Sequence, residues 1–177
     1  FWASNPDRSS DDSNSIVHHG TLPASEPEIQ ALDAAAQLGP AGQLSMYTDL
    51  HSYSQVHFYS RSSNRRLARL TDSLLETFTD HHAAFPAGKF YWHDNWLNLP
   101  LNQGIGLSAE YFTYEYEVPS WTLEIDPSGG SHPDLPGNGA DYGGLSRNGH
   151  DGFILPESEV ERVRTELAQS FAVAYYR

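Results

Sequence analysis

The sequence predicts an α/β fold, and three observations carry that prediction. A helix-like segment, a short apolar run and a polar loop follow one another up to and through Thr48-Asp49-Leu50-His51-Ser52-Tyr53-Ser54-Gln55. Val118 to Ile125 alternates with the period of two expected of a strand. Two further segments, one from about Arg65 and one from Ser158, place apolar residues at helical spacing. Strands interleaved with helices belong to the α/β class. In open α/β sheets, ligands bind beyond the carboxyl ends of the strands. His51 falls at such an end, and a neutral imidazole is the commonest metal ligand.

In chain order, Ser4 to Ser15 is polar and reads as an exposed loop. Ser25 and Glu28 form a Ser-x-x-Glu capping box, with Pro27 in the first turn. The helix continues through Ile29, Leu32, Ala35 and Ala36 and stops at Gly39-Pro40. Leu44-Ser45-Met46-Tyr47 reads as a buried strand leading to His51. After a polar stretch at 60–64, Leu67, Leu70, Leu74, Leu75 and Phe78 form one helical stripe. His81 and His82 end it, where cationic groups suit the helix dipole.

Phe85 to Leu107 is aromatic without a clean period, and Pro100 and Gly104-Ile105-Gly106 make it a loop rather than a central strand. In the strand Val118–Ile125, Ser120, Thr122 and Glu124 share one face, and Trp121, Leu123 and Ile125 share the other. A carboxylate ending such a strand is costly unless it has a partner or a task. Asp126 to Asn148 is a long Gly/Pro/Asp-rich insertion, read as a surface flap. Its aspartates lack the spacing of an EF-hand. A second capping box, Ser158-Glu159-Val160-Glu161, starts the final helix.

Bulk composition narrows the function. The 177 residues suffice for one domain with a core. Hydrophobic residues make up 38%, with 4 Trp, 10 Tyr and 8 Phe, which argues against disorder. No run of about 18 apolar residues occurs, so no membrane-spanning helix is predicted. Cysteine is absent, so a metal site must draw on His, Asp or Glu. The net charge of −13 argues against nucleic acid or an anionic membrane as partner. Phe1-Trp2-Ala3-Ser4 is neither a signal peptide nor a natural start, so the chain is expected to begin inside a longer product.

Four segments together resemble the zinc metallocarboxypeptidases of the carboxypeptidase A and B type. His51-Ser52-Tyr53-Ser54-Gln55 is similar to the segment with that family's third zinc ligand. Val118 to Ile125 is similar to the strand ending in its general-base glutamate, and Gly152-Phe153-Ile154-Leu155-Pro156 to the segment before its last helix. His19-Gly20 with Ser25-Glu26-Pro27-Glu28 resembles the stretch before an earlier helix. The resemblance implies a mixed twisted sheet with helices on both faces, and residues 1–177 as the C-terminal portion of a single catalytic domain.

It further implies zinc as cofactor, His51 as metal ligand and Glu124 as catalytic base. Ser52, Tyr53 and Ala109 take substrate-binding positions, and the substrate is a peptide or protein C-terminus. Alanine at 109 suggests an apolar or aromatic terminal side chain. A secreted or periplasmic location is expected. Two departures matter. The family's His-x-x-Glu ligand pair occurs nowhere in the chain, so the missing N-terminal portion of the domain is an expected partner. The family's mobile tyrosine falls at Asn102 or Gln103, where no tyrosine stands. A same-fold amidohydrolase acting on cell-wall peptides or acylated amino acids therefore stays open. So does a non-catalytic binding module or inert fragment.

Overall fold

A computed structural model describes residues 9–39, 43–53, 55–60, 62–85, 92–95, 107–125 and 157–176. Residues 92–95 are described by their backbone alone, and nothing is described of the Ser158 side chain. The 126–148 insertion, Gly152 to Pro156, Asn102 and Gln103, and Phe90, Tyr91, Trp96, Leu97, Leu99 and Leu101 lie outside these residues.

Helix α1 (Pro27–Ala36) has proline in its first turn, as expected. The predicted capping box does not form. Glu26 is the N-cap and makes no side-chain cap bond. Ser25 Oγ instead donates to Glu26 Oε1 at 2.9 Å and accepts from the Thr21 N–H at 3.2 Å. The hydroxyl is thus used to close the turn that begins at Gly20. Gly20 has φ +80°, and a Cβ there would collide with Ser25 Oγ. No α1 residue is buried, so its apolar stripe is not part of the described core.

Strand β1 (Tyr47–Ser52) begins where the predicted strand was expected to be well under way. Leu44 to Met46 precede it, and none of its residues is fully buried. Strand β2 (Val56–Tyr59) follows, then helix α2 (Arg65–Ala83). Asn64 caps α2, its Oδ1 accepting from the Arg66 and Leu67 N–H groups at 3.0 and 3.3 Å. Of the predicted stripe, Leu67, Leu75 and Phe78 are buried and Leu74 packs partly buried against the core, whereas Leu70 faces solvent. Residues Trp92–Asn95 form a short strand, β3, inside the stretch read as loop. Among the described residues it is the edge strand of the sheet. Helix α3 (Ser108–Glu115), strand β4 (Ser120–Ile125) and helix α4 (Glu157–Tyr175) complete the described elements. No helical stripe marks α3, because its buried residues, Ala109, Glu110, Phe112 and Thr113, mix apolar with polar.

The sheet is mixed, with strand order β1-β4-β2-β3. β1 runs parallel to β4, β2 antiparallel to β4, and β3 parallel to β2. Helices cover both faces, as predicted. On one face, α2 and α4 pack a core of Tyr59, Leu75, Phe78, Trp121, Leu123 and Ala174. Phe78 and Phe171 meet edge to face at 4.9 Å. On the other face, Phe112 of α3 stacks on Tyr47 with ring centroids 4.0 Å apart.

The two histidines ending α2 do more than complement its dipole. His82 is buried, with Nε2 3.7 Å from Glu166 Oε2, and its ring stacks with Phe78. His81 Nδ1 lies 3.3 Å from Ser170 Oγ. Both therefore dock α2 against α4.

Candidate functional site

Register decides where the two predicted reactive side chains go. In a strand, alternate residues share a face, and directly paired residues on neighbouring strands project to the same side. His51 pairs with Glu124 across the parallel β1–β4 ladder. Neighbouring strands lie about 4.8 Å apart, so the two side chains rise side by side. Both stand one residue from the carboxyl end of their strand. On its other flank Glu124 pairs with Val56, which is buried. The structure thus brings His51 and Glu124 together at the edge where α/β sheets bind ligands.

Glu124 sits partly buried, and its Oε2 is enclosed without a hydrogen-bond donor among the described residues. Burial pushes its carboxyl above the ordinary value; His51 pulls it back and Asp49 pushes it up again. A carboxylate oxygen held this way has the capacity to accept a hydrogen bond from a donor that enters the site.

His51 is half exposed, and its Nε2 lies 3.2 Å from Asp49 Oδ2. Asp49 stands two residues earlier on the same face of β1. The same Oδ2 accepts from Ser108 Oγ in the first turn of α3 at 2.5 Å. Two residues on from Ser108, Glu110 is buried and its Oε1 accepts from Ser60 Oγ at 3.1 Å. No role for Asp49 or Ser108 was legible in the sequence. The available signal was Asp49's even spacing from His51.

The remaining predicted residues divide. Ser52 is the last residue of β1 and pairs with Ile125, so it belongs to the register that faces away from Glu124. Tyr53 follows, partly buried, across a cis peptide bond. Ala109 is fully buried in α3, beside the Ser108 that holds Asp49.

A catalytic zinc takes three protein ligands. Among the described residues no group of three or more His, Asp or Glu side chains could hold a metal. The donors present fit one ligand and one base: an exposed imidazole with a carboxylate on one ring nitrogen, and an enclosed carboxylate oxygen with no donor.

Comparison with known proteins extends this. The profile described as zinc carboxypeptidase matches residues 1–170. No curated protein matches the chain. The structure of bovine thrombin-activatable fibrinolysis inhibitor in complex with tick carboxypeptidase inhibitor is similar, with TM-score 0.66 and 24% identity. The match covers 95% of this chain and 50% of that one. A crystal structure of thrombin-activatable fibrinolysis inhibitor matches with TM-score 0.66 and 23% identity, over 96% of this chain and 38% of that one. At such identity the likeness is one of fold, and the chain spans half or less of either structure's length. With the profile running over nearly the whole sequence, the chain belongs to the zinc carboxypeptidase family.

Proposed function

We propose that this chain carries the general base and one zinc ligand of a zinc-dependent carboxypeptidase that releases residues from peptide C-termini. The observation that carries the reading is the pairing of His51 with Glu124 at the carboxyl ends of two parallel strands. His51 would supply an imidazole nitrogen to the metal. Zinc, when bound, supplies Lewis acidity toward the scissile carbonyl and toward water.

Glu124 takes a proton from the attacking water and passes it to the leaving amine. Its raised carboxyl moves toward the working pH, where a general base is most effective. Tyr53 would border the substrate, while Ser52, turned to the other face of β1, and the fully buried Ala109 would shape that wall from behind, the small Ala109 side chain leaving room for an apolar or aromatic terminal residue. Residues 1–177 would be the C-terminal portion of one catalytic domain, the remaining zinc ligands coming from outside them. A peptide substrate and the acidic surface suit a secreted or periplasmic protein.

The test compares variants in a protein that supplies the other ligands. Glu124→Gln is expected to lose about 10²–10⁴-fold in turnover while metal analysis shows zinc retained. His51→Ala is expected to lose zinc. The 177-residue chain alone, with one imidazole at the candidate site, should neither hold zinc tightly there nor hydrolyse peptides. Full turnover by Glu124→Gln, or by the chain alone, would overturn the reading.

A further inference from the structure

The carboxylate between Ser108 and His51 is left over once Glu124 and His51 have their roles. Asp49 Oδ2 meets two groups: Ser108 Oγ at 2.5 Å and His51 Nε2 at 3.2 Å. The three belong to two elements, α3 and β1, packed on the same face of the sheet. An ionised carboxylate only accepts, so the nitrogen facing it carries the proton. A neutral imidazole protonated at Nε2 keeps its lone pair on Nδ1. The ring is half exposed, and Asp49 Oδ2 holds it at Nε2.

Asp49 suits that task because its own position is fixed twice. Its backbone lies inside the β1–β4 ladder, paired with Thr122. Its side chain is tied to the first residue of α3. An exposed carboxylate without such a tie would sample several rotamers and hold the ring poorly. Metal-binding histidines generally need this kind of support, because a carboxylate on the far nitrogen fixes the tautomer and raises the basicity of the near one.

We propose that Asp49, braced by Ser108, is a positioning residue that holds His51 with its proton on Nε2 and its lone pair on Nδ1, the nitrogen offered to the cation. The proposal deepens the zinc reading and rests on it for its purpose, but its geometry is tested without metal. Two-bond ¹H–¹⁵N correlation spectra of the ¹⁵N-labelled, metal-free chain report the tautomer of each neutral histidine ring. The spectra are taken about two pH units above the usual histidine value.

The expected result is a His51 ring with a pyrrole-like Nε2 and a pyridine-like Nδ1. In Asp49→Ala the preference for that tautomer should fall by about tenfold, as the loss of a hydrogen bond to a charged group implies. Ser108→Ala should weaken it by less, since the carboxylate remains. A pyridine-like Nε2 in the unsubstituted chain would overturn the proposal even if neither variant folds. An unchanged tautomer ratio in a folded Asp49→Ala would overturn it too. A merely structural Asp49 would move stability and leave the ring nitrogens alone. Failure of the zinc reading shows separately, in the metal and peptidase assays of the proposed function.

Discussion

Alternate residues of β4 meet two different environments. Trp121 and Leu123 point into the layer beneath α2 and α4 and are 0% exposed. Around Trp121 stand the rings of His57 and Tyr175, each with its centroid 6.3 Å away. Ser120, Thr122 and Glu124 point the other way, toward α3. Ser120 and Thr122 are nearly as buried as the tryptophan, yet they are polar. Ser120 Oγ donates to Val118 O at 3.0 Å, while Thr122 Oγ1 and Glu124 Oε2 are enclosed without a partner among the described residues. Burying apolar surface stabilises by roughly 25 cal/mol per Å², whereas an unpartnered polar group costs free energy. One face therefore contributes stability, and the other gives some of it up to keep polar groups available.

The largest expected effect comes from breaking the apolar face. Trp121→Ala should cost about 3–5 kcal/mol of stability, the range for deleting a large buried aromatic. Denaturant unfolding followed by circular dichroism measures it. The cost would come mainly from the cavity, because the indole Nε1 makes no hydrogen bond among the described residues. A loss below about 0.5 kcal/mol, the range of ordinary surface substitutions, would mean that this face is not the core.

A smaller effect on the same face comes through the helix that covers it. Asn64 satisfies two first-turn N–H groups of α2. Asn64→Ala should cost about 1 kcal/mol, read by the same unfolding experiment. α2 carries Leu75 and Phe78 into the core, so loosening its start should lower stability without touching the site.

Helix α2 and strand β4 were legible in the sequence for a simple reason. Their periodicity is imposed by burial on one side for α2 and by alternation between two unlike faces for β4. β1 was less legible. Leu44 to Tyr47 looked like its body because they are apolar, but its extent is set by pairing with β4, from Tyr47 to Ser52. That pairing joins segments far apart in the chain, and no local pattern encodes it. α3 escaped because half of its buried side chains are polar, and β3 because a four-residue edge strand has too few residues to show a period.

The site divides in the same way. His51 and Glu124 were found through short segments resembling a known family, and their adjacency needed the register. Asp49 was in plain view two residues before His51. Its contact with Ser108 forms only once α3 is packed on β1.

The smallest expected effect has the more telling sign. The Glu124 carboxyl is raised, first by burial, with Asp49 adding and His51 opposing. Below the unfolded-state value of about 4.3 both states are protonated and the group is silent. As pH rises from there toward the raised folded value, the unfolded chain gives up its proton first. Stability then falls with pH across that window and levels off above it. Glu124→Gln has no proton to release. Its stability relative to the unsubstituted protein should therefore climb through the same window and stay higher at neutral pH. Because His51 opposes the shift, the gain should be larger when Glu124→Gln is made in a His51→Ala background. Metal-free denaturant titrations at a series of pH values measure both differences. A Gln variant that is less stable at every pH would break the contrast between the two faces. It would show that Glu124 is already compensated where it sits, and that the polar side of β4 gives up no stability for its chemistry.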